Sequence, residues 1–219
     1  MPLSQISLAP GTTAPPGRIA AFLADAEMRI DHLFDSEQNK RIPRFIPSDP
    51  LAIFRAIDFV TREDLPLGRV FCEWGSGFGV ATGIAALLGY ESYGIEIEPS
   101  LAAASQSLAT DQGIEFTILN TSYIPEGFES YAAVGGEELV LPENFSDHGD
   151  GFGQVPIYDG MPYSTDEIDL FFVYPWPGEQ EFMQQLFEAI ATEGAILLTY
   201  LEDGEVSVHQ KVAGEDEID

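Results

Sequence analysis

Beyond residue 68 the chain alternates short apolar runs with stretches of helical periodicity, and this alternation restricts its fold more than any other feature. Residues 69–73, 92–97, 115–119, 168–174 and 195–201 read as strands, and residues 80–88, 101–111 and 179–192 as helices. A strand that returns to its sheet through a helix must cross one face of that sheet, so the strands run parallel and are covered on both sides. Gly89 and Gly113 fit helix C-termini. Residues 126–167 break the rhythm: they are rich in Gly, Pro, acids and aromatics, and far longer than a usual connection of about 4–6 residues. They read as an irregular insertion, a lid or mobile loop. After a hairpin-like turn at 202–205, residues 206–212 alternate as a final, antiparallel strand. The expected class is α/β, an open, mostly parallel twisted sheet flanked by helices.

Before this unit, Ile19, Phe22, Leu23, Ala26, Ile30, Leu33 and Phe34 recur at helical spacing, and Leu51, Phe54 and Ile57 do so again with Ser48 or Asp49 as N-cap. Residues 17–68 are therefore expected as an N-terminal helical extension, residues 1–16 as a flexible leader, residues 69–213 as the α/β domain and residues 214–219 as an acidic tail. With 219 residues, 45% of them apolar, the chain suits one sizeable core. No apolar run approaches the roughly 20 residues of a membrane helix, and the leader lacks a secretory pattern. A cytoplasmic protein that contacts no membrane is expected. The single cysteine, Cys72, sits in an apolar run and reads as a small buried hydrophobe.

Charge narrows the ligand. The chain has 37 acidic and 9 basic side chains, and between Arg69 and Lys211 there are 24 carboxylates and no Lys or Arg. Nothing in that interval can neutralise phosphates, so nucleic acid is not expected as a partner. Within it lies Glu73-Trp74-Gly75-Ser76-Gly77-Phe78-Gly79, where a strand ends and a helix begins. Glycines there let a nucleotide-like ligand approach the backbone at the carboxyl ends of the strands. The spacing is G-x-G-x-G, with Val80 in the place where a dinucleotide fingerprint needs its third glycine, which disfavours NAD. The leading carboxylate also suits a cation better than a pyrophosphate. S-adenosylmethionine, with its sulfonium and amino group, meets that requirement.

These motifs resemble the class I S-adenosylmethionine-dependent methyltransferase family, over most of residues 69–201. The resemblance implies a Rossmann-like sheet of strand order 3-2-1-4-5 plus the C-terminal antiparallel strand. It implies S-adenosylmethionine as cofactor, with Glu73, Trp74, Gly75, Ser76, Gly77 and Gly79 at its methionine end. Gly94-Ile95-Glu96-Ile97-Glu98-Pro99 is similar to the family's second motif, which places Glu96 on the ribose hydroxyls and Ile97 against the adenine; Glu98 reads as a helix-start acid. Phe116-Thr117-Ile118-Leu119-Asn120-Thr121 is similar to the third, with Asn120 and Thr121 at the adenine amino group, although Asn also fills turns at strand ends. Arg44-Phe45-Ile46-Pro47-Ser48-Asp49 is similar to a subgroup that includes protein lysine methyltransferases, in which a Pro-Ser turn folds over the cofactor; this implies Ser48 at the site.

Tyr174-Pro175-Trp176-Pro177, at the end of the fourth strand, departs from the Asp/Asn-Pro-Pro-aromatic segment of the base-methylating subgroups. Tyr174 and Trp176 are the candidate catalytic residues, forming an aromatic wall for the acceptor. Tyr158, Asp159 and Tyr163, in the insertion, are candidate substrate contacts. His32, His148 and His209 show no metal-ligand spacing, and no metal is expected. The expected activity is methyl transfer to a small molecule or protein amine. The alternative is a non-catalytic relative that keeps the fold and binds a partner.

Overall fold

In the computed structural model, residues 3–9, 11–35, 45–133, 136–141 and 155–213 are described. The strands are β1 (Leu3–Ile6), β2 (Val70–Trp74), β3 (Glu91–Ile95), β4 (Thr117–Leu119), β5 (Glu129–Ala133), β6 (Gly136–Val140), β7 (Leu170–Val173), β8 (Ile196–Tyr200) and β9 (Val206–Lys211). The helices are α1 (Gly17–Asp35), α2 (Pro50–Arg62), α3 (Val80–Leu87), α4 (Pro99–Gln112) and α5 (Gln180–Ile190). The main sheet has the order β1-β9-β8-β7-β2-β3-β4; β4, β3, β2, β7 and β8 are parallel neighbours, while β9 is antiparallel to β8. The expected order 3-2-1-4-5 plus an antiparallel strand is therefore present.

Side-chain alternation along the central strands divides the core in two. Phe71, Phe172 and Leu198 join residues of α1 to α4 in one cluster, whereas Cys72, Trp74, Phe171 and Leu197 join α5 residues with Tyr158 and Met161 in the other. Glu73 follows Cys72, so the same alternation directs it to the face covered by α3. Pro99 opens α4, and Glu98 caps it by accepting from the Ser100 amide, as a helix-start acid should. Asp49, not Ser48, caps α2, accepting from the amides of Leu51 and Ala52.

Two expectations need correction. Residues 3–6, read as part of a flexible leader, form β1, the edge strand, antiparallel to β9 with Leu3 opposite Lys211 and Ile6 opposite Val208. Open backbone groups at the β9 edge supply the pairing that the leader's composition does not advertise. The insertion is less irregular than expected, because β5 and β6 pair antiparallel within it and Ser164 and Glu167 form a capping box on a short 3-10 turn. The tail at residues 214–219 lies outside the described residues.

Candidate functional site

The loop between β2 and α3 is shaped by glycines at two close approaches. Gly77 has φ 52°, and a Cβ there would lie 2.7 Å from the Phe45 ring; Gly79 has φ 69°, and a Cβ there would lie 2.2 Å from Oγ of Ser105. Side chains are excluded at both positions by space as well as by backbone conformation. Gly79 is also the N-cap of α3 and offers no side-chain oxygen to the helix. Glu73 does that work from the end of β2: its Oε2 accepts from the Thr82 amide at 2.8 Å and from the Thr82 hydroxyl at 2.5 Å. Among the described residues no donor reaches Oε1.

Glu96, one residue past β3, is buried as well. Its Oε2 accepts from the Gly77 amide at 2.7 Å and its Oε1 from the Glu98 amide at 2.8 Å, which joins the second acidic motif to the glycine loop. Burial pushes the Glu73 carboxyl up to about 8 against the pull of the Thr82 bonds, and the neighbouring Glu96 charge adds to the rise. Glu96 is raised too, chiefly by burial, with amide bonds opposing. Among the described residues no cation pairs with either one.

The carboxyl ends of β2, β3 and β7 open onto a cleft of about 840 Å³. Its wall includes Glu73, Gly75, Ser76, Gly77, Glu96, Ile97, Ser48, Tyr174 and Trp176, so most of the expected site residues meet in one place. Ile97 is 74% exposed there, an apolar side chain left open to a ligand. No described atom lies within 4 Å of a Cβ placed on Gly75, so among the described residues its backbone is open to approach. Gly79 stands behind the loop, against Ser105 and Phe116. Trp74 borders the cleft but turns its ring into the core, 5.2 Å from Phe171 and 6.3 Å from Tyr123 between centroids.

Other expected residues are placed elsewhere. Asn120 donates its amide to the carbonyls of Glu96 (2.7 Å) and Ile97 (3.2 Å), so it shapes the loop after β3 and, like Thr121, is not part of the cleft wall. Tyr158 is buried under the sheet, with its hydroxyl on the Tyr123 carbonyl, because the insertion packs on its own domain. Tyr163 donates to Glu91 at the start of β3, the end of the strand remote from the cleft, and Asp159 is exposed outside it. His148 lies outside the described residues. Cys72 is fully buried, and burial pushes its thiol far up, which suits packing rather than chemistry. No group that could hold a metal ion occurs among the described residues.

Sequence reasoning missed several contributors. Phe45 packs on Phe78 at 5.4 Å between centroids and covers Gly77, which lays the Phe45–Asp49 segment along the glycine loop. The Tyr200 hydroxyl accepts from the Asp49 amide, and Tyr174 meets the Tyr200 ring edge-on at 4.8 Å. Burial, Tyr200 and Glu202 raise the Tyr174 phenol above its ordinary value. Glu27 and Asp31 of α1, with Glu98, Glu179 and Glu202, complete a lining of seven carboxylates, and no described lining residue is Lys, Arg or His. No helix among the described residues is long and apolar enough to cross a membrane.

No protein-family model and no curated protein matches the chain. Solved structures do. An RNA methyltransferase from Salinibacter ruber, in complex with S-adenosyl-L-homocysteine, matches at a TM-score of 0.50 with 16% identity, over 80% of this chain and 98% of that one. A methyltransferase from Geobacter sulfurreducens matches at 0.53 with 12% identity, over 92% and 93%. At such identities the likeness is one of architecture: this chain has the fold of the class I methyltransferases.

Proposed function

We propose that the chain is an S-adenosylmethionine-dependent methyltransferase whose acceptor is an amine, on a small molecule or on a protein. The observation that carries this reading is the pair of buried carboxylates, Glu73 and Glu96, at the ends of adjacent strands in a cleft whose described wall holds no cation. Burial holds such carboxyls toward their protonated form, and a cation bound beside them favours the ionised one. NAD or ATP would bring phosphates into a wall of carboxylates, whereas a sulfonium nucleotide brings positive charge.

The residues fit that cofactor. Oε1 of Glu73 is available for its ammonium or sulfonium. A carboxylate oxygen accepts more than one hydrogen bond, so the amide contacts to Glu96 leave lone pairs for ribose hydroxyls. Ile97 offers an apolar surface for adenine. When bound, the cofactor supplies a methyl carbon activated for in-line displacement. The chain has to position the acceptor and exclude water from it. Tyr174, Pro175 and Trp176 form that wall, and the raised Tyr174 phenol stays neutral near pH 7, serving as a hydrogen-bonding group rather than a base. An amine arrives as an ammonium ion, drawn by aromatic faces and by Glu27, Asp31, Glu179 and Glu202 on the rim, and must lose a proton before it attacks. A polyphosphate acceptor meets only like charge on the described wall, which argues against the RNA acceptor named for the Salinibacter protein.

Calorimetric titration with S-adenosylmethionine and S-adenosylhomocysteine, followed by transfer of labelled methyl to a panel of amines, cationic peptides, phenols, carboxylates and RNA, tests the proposal. Binding of the cofactor with transfer to amines is expected. Binding of neither compound overturns the enzyme reading in favour of a partner-binding protein that retains only the fold, and labelling of RNA alone overturns the choice of acceptor.

A further inference from the structure

Threonine hydroxyls inside helices ordinarily bond back to the carbonyl four residues earlier. This chain follows that habit in two helices: Thr61 of α2 donates to the Ile57 carbonyl and Thr110 of α4 to the Gln106 carbonyl. Thr82 stands in the first turn of α3, where the residue four back, Phe78, precedes the Gly79 N-cap, so its hydroxyl takes another acceptor. Its hydroxyl crosses to β2 and donates to Oε2 of Glu73, the same oxygen that takes the Thr82 amide, and the side chain is fully buried. The amide alone would satisfy the helix start, because it is one of the first-turn N–H groups that the side-chain-free Gly79 leaves without a cap. The hydroxyl is therefore additional to what the helix requires, and its partner among the described residues is the carboxylate.

We propose, resting on the methyltransferase reading, that Thr82 is a positioning residue for the cofactor-binding carboxylate. By holding Oε2 of Glu73 with two donors, it leaves Oε1 as the oxygen presented to the cofactor's positive charge. The two donors also favour the ionised carboxylate, in opposition to burial and to the Glu96 charge. No cation among the described residues that line the cleft gives the Glu73 carboxyl that help. Loss of the hydroxyl should leave Glu73 in place but harder to ionise and free to rotate its oxygens. Gly79 is too close to Ser105 to accept a side-chain cap in compensation.

The test uses the full chain as wild type, T82V, T82A and T82S. Valine keeps the branched shape and the amide while removing the hydroxyl, alanine is a second variant without it, and serine restores it. The Glu73 carboxyl is titrated by carbon NMR in the free protein, and S-adenosylmethionine affinity is measured by calorimetry between about pH 6.5 and 9. In T82V and T82A the Glu73 midpoint should rise by about one unit, because a donor that favours the ionised form is lost. Affinity at about pH 7.5 should fall roughly fivefold to tenfold, with the deficit narrowing toward pH 9. T82S should behave as the wild type. All variants are compared at the same pH, so the ligand's own titration cancels. A purely structural role would lower the melting temperature and leave the midpoint and the pH profile unmoved, and that result overturns the proposal while leaving cofactor binding intact. A wild type that binds no S-adenosylmethionine overturns the methyltransferase reading and the cofactor role of Thr82 with it.

Discussion

Glu73 occupies a position on β2 whose in-plane neighbours are Gly94 and Phe172, and a carboxylate in such surroundings loses hydration without gaining a cation among the described residues. Its carboxyl rises to about 8 in the folded protein and has an ordinary value when unfolded, so between those two values the native state holds a proton that the unfolded state has released. Stability therefore falls as pH rises through that interval, the reverse of a salt-bridged carboxylate. Below about pH 6.5 other groups intrude: ordinary carboxylates titrate there, and His209, lowered by burial, contributes with the opposite sign. Between about pH 6.5 and 8 Glu73 dominates, and the free protein should lose about 1–2 kcal/mol across that window, a drop of roughly 2–8 °C in melting temperature. Glu73→Gln keeps an acceptor for Thr82 and removes the ionisation, so its melting temperature should be nearly flat over the same window while its affinity for S-adenosylmethionine falls. Thermal scans of both proteins at matched ionic strength decide this, and a parallel decline in the two would mean that the proton resides elsewhere.

Elements differ in how plainly the chain declares them. The runs at 170–173 and 196–198 are apolar throughout because β7 and β8 are covered on both faces, and that signature survives without knowledge of the fold. The glycine loop was legible because Gly75, Gly77 and Gly79 all take positive φ, a demand of the local backbone, whereas Asn120, Tyr158 and Tyr163 were misplaced because their roles depend on which loop packs over which strand end. Chain order carries no information about that packing, nor about Phe45 covering Gly77 from a distant segment. β1 was illegible for a related reason: Leu3-Ser4-Gln5-Ile6 is short and polar in the middle, and only the waiting edge of β9 makes it a strand. Ile6 and Leu8 pack against one core cluster and Leu3 against the other, so the strand contributes to both faces. Removing residues 1–8 should therefore cost about 1–3 kcal/mol, from three partly buried aliphatic side chains. It should also leave the β9 edge unpaired and prone to association. Denaturant midpoints and size-exclusion elution check the two consequences separately; an unchanged midpoint would show that β1 rests on the sheet without stabilising it.

For the molecule as a whole, a formal charge of −28 at pH 7 is distributed very unevenly, since eight of the nine basic residues lie at or before Arg69. The described ion pairs, Arg29 with Asp25 and Asp111, Arg62 with Asp58 and Arg69 with Asp64, sit at that end and are partly or wholly exposed, so they offset little of the repulsion among the remaining carboxylates. The same excess has two opposed consequences. It stresses the folded state by self-repulsion, and it surrounds the cleft with a potential that gathers cations. Added salt weakens both, because the screening length falls from about 10 Å at 0.1 M to about 3 Å at 1 M. At about pH 7.5 the melting temperature should therefore rise between roughly 0.02 and 0.5 M NaCl, with KCl equivalent, while the association rate of S-adenosylmethionine falls over the same range. The dissociation rate should change far less, because Glu73 is buried and its interactions are screened less than those of the exposed rim. Stopped-flow binding beside calorimetric melting separates these effects. A melting temperature indifferent to salt would mean that the surface charges are spaced widely enough not to strain the fold, and an association rate indifferent to salt would remove the acidic rim from any part in capturing a cationic ligand.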